Sequence, residues 1–593
     1  MCGIAGIIRA GLPLSDADEA ATVRMRDRLA HRGPDGAGLY SDAHAMLGHR
    51  RLAVIDPTPA GHQPMAAADC SAVLVYNGEL YNDAEIRDDL ERKSAVFRTT
   101  CDTETVLEAL RRWGRSGLER LRGMFALALW EPTSRRLTLA RDPLGIKPLH
   151  FSVLDGCAIV FASEIPALFE HPRVSRRPDW TSARAYLRTG CTTWDDRTMF
   201  EGVRTLRPGE VVTVDASGET LVIEHGAIRG DVPSKTGDIL EATADSVRAH
   251  LRSDVPRCAL LSGGLDSTLI SALIDRGRGG LRTYCAGART DEPSEDFSFA
   301  REASQALRTD HHEVPISREM FQARWTDLIA HNGAPLSTPN EVAIHEVSRC
   351  LRADGRVVAL TGEGADELFA GYDAVLDAAW RWIERTPADA NGGAYELESN
   401  AWFSREQADA LLAPASPPAA EECALRAWYE RVYDEAVGFE PKPDAPRRLR
   451  GHLGVHRRIN LERLLRRLDS STMAASVEGR TPFADVRIAE LAGGLALERL
   501  YRPPGAAEPR TKLALRAAAR GIVPESIRSR PKASFPLPFR SWVGGHAKVL
   551  DGAWARAHFD DGLRTALRDR AREAWHLAWP AINLALWGEA WGE

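Results

Sequence analysis

The chain has 593 residues, 44% of them hydrophobic, and a formal net charge of −7 shared among 76 basic and 83 acidic side chains. That length exceeds what one hydrophobic core supports, so two or three domains are expected. The mixed charges form no basic stripe for nucleic acid, no long apolar run suits a bilayer, and the start lacks the basic and apolar regions of a signal peptide; a cytoplasmic, membrane-free protein is expected.

The chain opens Met1-Cys2-Gly3-Ile4-Ala5-Gly6. If the small second residue lets Met1 be removed, Cys2 carries a thiol nucleophile and, as its own α-amine, a general base. On these letters alone an ordinary chain start reads equally well. The other eight cysteines are scattered without C-x-x-C spacing, which argues against disulfides or structural zinc and reads as small buried hydrophobes. Neither His311-His312-Glu313 nor His345-Glu346 has zincin spacing, so no metal is expected there.

The first ~200 residues alternate short β-like runs with turns. Ala72–Tyr76 precedes Asn77-Gly78, a turn signal, and Met124–Trp130 precedes Glu131-Pro132. A hairpin-like end at Leu206–Val212 leads into a polar stretch near Gly226–Gly237, read as a linker. The expected domains are residues 1–215 and 235–593. From Ile239, amphipathic helices separated by β-branched runs indicate an α/β domain with a parallel sheet. Helices dominate after Trp380; Pro387–Pro446 reads as a surface excursion, and Arg447-Arg448 and Arg457-Arg458 as solvated helix faces.

Ser262-Gly263-Gly264-Leu265-Asp266-Ser267 lies between the buried-strand candidate Cys258–Leu261 and a helical run. Strand, glycine loop and helix form an anion cradle: glycines admit close backbone N–H groups and the helix presents its positive end. Asp266 would be repelled by bare phosphate, which implies a bridging Mg²⁺. The kinase-type G-x-x-x-x-G-K-[ST] loop is absent here, so this string does not advertise γ-phosphoryl transfer. A second loop, Thr361-Gly362-Glu363-Gly364-Ala365-Asp366-Glu367, follows Val357–Leu360. Its flanking glycines leave Glu363 accessible, whereas Asp366 and Glu367 also suit the first turn of a helix.

With these strings stand His31–Gly36, Arg51–Asp56, Tyr76–Asn82, Asp102-Thr103-Glu104, Arg141–Leu149, Phe161–Ile165, Ser476–Phe483, Arg530-Pro531-Lys532 and Asn583–Trp587. Along nearly its whole length the chain resembles B-type, glutamine-hydrolysing asparagine synthetases. The resemblance implies an α+β N-terminal αββα sandwich of the N-terminal-nucleophile hydrolase class, followed by an α/β ATP-pyrophosphatase-type synthetase domain with a helical C-terminal part. It implies that Cys2 attacks the glutamine amide, Asn77 and Gly78 form the oxyanion hole, and Arg51, Glu79 and Asp102 hold the amino-acid end of glutamine. ATP phosphates would lie on Ser262, Gly263, Gly264, Asp266 and Ser267, and adenine or ribose against Leu260, Ala286, Thr361 and Gly362. Asp266 and Asp366 match Mg²⁺ ligands, Lys532 a phosphate-contacting catalytic lysine, and Glu363 a glutamate serving acyl-adenylate formation and ammonia. An apolar passage for ammonia is implied, with Arg141–Leu149 near the junction, and a homodimer is expected by analogy.

Departures cluster where the acceptor is chosen. The usual D-R-M-S-M-A reads Asp469-Ser470-Ser471-Thr472-Met473-Ala474, losing a guanidinium that serine cannot replace; P-F-L-D reads Pro482-Phe483-Ala484-Asp485. Pro335–Asn340 looks more like relatives in tailoring pathways. Aspartate is the first expectation for the acceptor, and a carboxylate of a natural product, peptide or cell-surface glycan precursor the second. An intramolecular amide-forming cyclase is disfavoured by the intact glutaminase set, and a non-catalytic nitrogen sensor by the furnished synthetase site.

Overall fold

The computed structural model describes residues 2–228, 237–289, 295–415, 422–438, 442–532 and 537–592. Met1, and with it the expected processing, lies outside the described residues, as does most of the expected linker.

Twelve strands precede the first helix of the second half: β1 (Gly3–Arg9), β2 (Gly36–Ser41), β3 (Ala45–Arg51), β4 (Met65–Ala66), β5 (Val73–Leu80), β6 (Gly123–Glu131), β7 (Arg136–Arg141), β8 (His150–Leu154), β9 (Ala158–Ala162), β10 (Arg204–Thr205), β11 (Glu210–Asp215) and β12 (Val222–Ala227). They form two six-stranded sheets, ordered β10-β8-β9-β1-β3-β2 and β12-β11-β7-β6-β5-β4. The two-residue period of a strand explains the layering. Ile4 and Ile8 of β1 pack with Val73 and Val75 of β5 between the sheets. Their neighbours Ala5 and Ile7 face Met25 and Leu29 on one outer side, while Leu74 and Tyr76 face Val106 and Leu110 on the other. The result is the αββα sandwich. It continues past the expected end at 215, because β12 pairs with β11 from Asp215↔Val222 to Glu210↔Ala227. β12 is mostly exposed and short of apolar residues, which hid it in the sequence.

The second half has a five-stranded parallel sheet of β13 (Arg257–Leu260), β14 (Arg282–Ala288), β15 (Asp310–Ile316), β16 (Val358–Leu360) and β17 (Glu478–Arg480), ordered β15-β14-β13-β16-β17. The strand order reverses at β13, and crevices at such a point, beyond the carboxyl ends of the strands, are where open α/β sheets bind ligands. Because β13 pairs directly with β16, the two glycine loops that follow them stand side by side. Helices cover the rest. Pro387–Pro446 is no surface excursion over its described part: Leu425, Trp428 and Tyr433 of the Glu422–Val437 helix are buried with Val455 and Ile459. Nor are both arginine pairs solvated, since Arg448 is buried and donates to the Ile383 and Thr386 carbonyls, and Arg457 donates to those of Leu368 and Ala492. Cys70, Cys350 and Cys423 are exposed rather than buried.

Candidate active sites

The first site sits at one open end of the inter-sheet space. By strand parity Cys2 follows Ile4 and Ile8, Arg51 follows Leu47, and Asn77 and Glu79 follow Val75, so all four project between the sheets. Asn77-Gly78 is not the turn its dipeptide suggests. Both lie inside β5, paired with Ala126 and Phe125 of β6. Glycine is required there because a Cβ on Gly78 would come 2.4 Å from the Met124 carbonyl oxygen.

The Cys2 backbone nitrogen donates to Asn77 Oδ1 at 2.9 Å, which leaves Asn77 Nδ2 buried without a partner among the described residues. Burial pushes the Cys2 thiol up, so it is not a standing thiolate. Arg51 is turned inward on its own loop and donates to the carbonyls of Thr58, Ile55 and Asp56. Burial raises the Glu79 carboxyl well above its ordinary range, against the opposing pull of Arg480, which lies 3.1 Å away. Its Oε1 is buried without a partner among the described residues. Asp102, first residue of the Asp102–Trp113 helix, accepts the Leu80 N–H at 2.9 Å. His49, which the sequence reading missed, projects into the same space; burial lowers its pKa to about 3 and its Nε2 is unpartnered among the described residues. Parity with Arg51 was the signal that could have found it.

The second site is a cavity of about 320 Å³ beyond the ends of β13 and β16. Leu260, Ala286 and Phe299 line an apolar end, and Ser262, Asp266, Thr361, Glu363 and Lys532 a polar one. Gly263 has φ +75°, and a Cβ there would meet the Phe299 carbonyl carbon at 2.2 Å, so only glycine fits this turn. Gly264 caps the Leu265–Asp275 helix and Ser262 Oγ lies 3.1 Å from Ser267 Oγ, placing hydroxyls and helix N–H groups on one concave loop.

Asp266 and Asp366 share a cation missed in the sequence reading. Lys512 Nζ lies 2.5 Å from Asp266 and 2.6 Å from Asp366, and Lys532 Nζ 2.7 Å from Asp366. Two carboxylates this close repel, and the lysines offset that repulsion. Burial, then the two acids, set the Lys512 pKa, with the acids prevailing and raising it. Among the described residues Asp266 Oδ1 remains buried without a partner, a donor of the hard-oxygen kind that suits Mg²⁺. Glu363 receives Arg467 Nη2 at 2.6 Å.

Between the two sites lies a smaller cavity of about 70 Å³, lined from the first half by Arg32, Ser163 and Glu164 and from the second by Glu341, Arg467 and Ser470. The Arg141–Leu149 segment abuts it: Arg141 lies 3.1 Å from Glu462 and Lys147 3.1 Å from Asp469. Glu341 accepts the Ser337 and Thr338 N–H groups at 2.6 and 3.0 Å, yet burial prevails and lifts its pKa to about 7. The folded chain therefore holds a proton that the unfolded chain releases near pH 4.5, and stability falls as pH climbs from there to 7. Glu341→Gln keeps an acceptor for both N–H groups without the charge. Its thermal midpoint at pH 8 is expected to exceed that of the parent, reflecting up to about 3 kcal/mol, with no gain at pH 4.5. Differential scanning fluorimetry across that range checks it, and a gain independent of pH would refute it.

Comparison with known proteins fits this two-site geometry. A glutamine amidotransferase domain model matches residues 1–224 and an asparagine synthase model residues 238–588. The chain belongs to the asparagine synthase family. It is 31% identical over 605 residues to a putative glutamine-hydrolysing asparagine synthetase of Mycobacterium bovis, covering 94% of this chain and 90% of that one. It is 29% identical over 570 residues to asparagine synthetase 3 of Bacillus subtilis, covering 90% and 87%. Amidase chry2 of Gibberella zeae is 27% identical over 634 residues, covering 93% and 91%. This family member is an ATP-dependent, glutamine-hydrolysing amidotransferase built from a glutamine amidotransferase domain and an asparagine synthase domain. Among its described residues no helix is long and apolar enough to cross a membrane.

Proposed function

We propose that the enzyme converts aspartate to asparagine with ammonia drawn from glutamine, through an aspartyl-adenylate. The single observation that carries this reading is the approach of Glu363, gripped by Arg467, to the nucleotide cavity on one side while Arg467 also borders the interface cavity on the other. Relatives matching along most of both chains bear the name asparagine synthetase.

In this reading Cys2 Sγ attacks the glutamine side-chain carbonyl, and the α-amine exposed by loss of Met1 takes the thiol proton and returns it to the leaving ammonia. The unpartnered Asn77 Nδ2 and the backbone at Gly78 receive the oxyanion, as fixed donors should. Arg51, Glu79 and Asp102 hold the amino-acid end, Glu79 through its free Oε1. ATP lies on Ser262, Gly263, Gly264 and Ser267, with its base against Leu260 and Ala286 and its ribose near Thr361 and Gly362. Asp266 and Asp366 would hold Mg²⁺, which supplies charge neutralisation on the phosphates. The acceptor carboxylate attacks the α-phosphorus and pyrophosphate leaves toward Lys532 and Lys512. Ammonia then attacks the acyl carbon and AMP departs, with Glu363 accepting the proton that nitrogen loses. A homodimer remains the proposed assembly.

One observation favours a second reading, in which a larger carboxylate is amidated. Ser470 places a small hydroxyl on the interface cavity where the family resemblance calls for arginine, and matched relatives include proteins named amidases. Mass-spectrometric analysis of the purified enzyme with glutamine, Mg-ATP and aspartate decides. Equal yields of asparagine, AMP and pyrophosphate are expected. Glutamate release without asparagine or AMP would overturn aspartate as acceptor.

A further inference from the structure

The Leu461–Met473 helix separates the two sites, and side chains two residues apart on a helix project to nearly opposite sides. Arg467 points to the synthetase: Nη2 lies 2.6 Å from Glu363 and Nη1 donates to Thr338 Oγ1 at 3.2 Å. Asp469 points to the glutaminase. Its Oδ2 accepts Arg32 Nη2 at 2.9 Å and its Oδ1 accepts Lys147 Nζ at 3.1 Å. Arg32 in turn donates through Nε to the Cys2 carbonyl at 3.1 Å and through Nη1 to Glu164 at 2.8 Å. A run of direct polar contacts thus connects the backbone of the nucleophile to Arg32, Asp469, one helix, Arg467 and Glu363. Arg32 and Lys147 are fully buried, and Asp469 is only 3% exposed.

Buried charges this far from solvent are costly unless paired, and losing one partner strands the other. The two cations of the glutaminase therefore have a strong physical reason to keep Asp469, and the helix that bears it, in place. Arg32 and Asp469 line the interface cavity that lies between Cys2 and Glu363, and Lys147 stands behind Asp469, 3.1 Å from it. Ammonia crossing there must not meet water, which would protonate it.

We propose that Asp469 is a positioning residue that couples the two reactions: its pairs with Arg32 and Lys147 seal the domain interface against water and tie the helix that bears Arg467 to the glutaminase, while Arg467 keeps its own bonds to Glu363 and Thr338. The proposal rests on ammonia passing from glutamine to an activated carboxylate, and not on which carboxylate that is.

Two measurements test it. With aspartate as the acceptor probe, the parent enzyme should release about one glutamate per AMP, and Asp469→Asn should raise that ratio at least about five-fold. Its rate with saturating ammonium should stay within about two-fold of the parent, because ammonium bypasses the interface. Asp469→Glu, which keeps the charge, should recover most of the coupling. A ratio unchanged in Asp469→Asn, or lost in step with the ammonium-driven rate, overturns the proposal. The second measurement needs no acceptor. Alkylation of Cys2 by the glutamine analogue 6-diazo-5-oxonorleucine should change the Kd of α,β-methylene-ATP by about five-fold or more in the parent and by less than about two-fold in Asp469→Asn. A merely structural loss would shift both Kd values together and leave their ratio intact, and a parent ratio near one refutes the proposal outright. If the parent makes no asparagine, aspartate is the wrong acceptor and this second measurement alone decides. Should Asp469→Asn fail to fold, Lys147→Met and the double variant Asp469→Asn, Lys147→Met take its place, the latter removing both members of one buried pair; both are held to the same thresholds.

Discussion

Replacing Cys2 by alanine should lower glutamine-driven amide synthesis by roughly three orders of magnitude or more while leaving ammonium-driven synthesis within about two-fold of the parent. The asymmetry follows from where the thiol stands. Cys2 belongs to the inter-sheet end of the sandwich, and its thiol is held neutral by burial, so its reactivity depends on a base within reach. The backbone nitrogen of the same residue already lies 2.9 Å from Asn77 Oδ1, an acceptor that can orient it. Alanine removes sulfur and little volume, so the packing around β1 should survive. Glu363, Lys512 and the nucleotide cavity are reached only across the domain interface and involve no atom of the Cys2 side chain. Parallel assays with glutamine and with ammonium chloride check this, and loss of both activities would refute the division of labour between sites.

Glu363→Gln should produce the mirror image. Glutamine hydrolysis should persist, whereas amide formation should fall by about 10²–10⁴ from either nitrogen source. Glutamine is nearly isosteric and can still accept from Arg467, so geometry is kept while the negative charge and the proton-accepting capacity are lost. A variant with undiminished amide formation would show that Glu363 handles no proton. Measuring AMP and glutamate in the same sample separates the two half-reactions.

Local grammar made much of this legible. Strand, glycine loop and helix at Ser262–Ser267 appear as written, and Gly364, at φ +92°, caps the short Ala365–Phe369 helix as its position suggested. The Asn77-Gly78 dipeptide misled because its usual meaning is a hairpin, whereas here close packing against the Met124 carbonyl demands glycine in mid-strand. What could not be read was pairing across long stretches of chain. Lys512 meets Asp266 across 246 positions, Arg32 meets Asp469 across 437, and Arg122 meets Asp485 across 363. No periodicity marks such partners; the folding of the second half brings Lys512 to Asp266, and the docking of the two halves makes the other two pairs. Arg448 and Arg457 failed for the same reason, since a helix face looks solvated until its neighbours are known.

Those cross-half pairs bear on how this lineage can be rearranged. Arg122 reaches Asp485 and Asp245, Arg480 reaches Glu79, and Arg32 and Lys147 reach Asp469, with most of these side chains withdrawn from solvent. A chimera joining this glutaminase to the synthetase of a relative at 29% identity would inherit unmatched charges wherever one member of a pair differs. Recombination between such halves is therefore constrained at a handful of paired positions across the interface, and a working exchange would have to carry Glu79 with Arg480, and Arg32 and Lys147 with Asp469, as units.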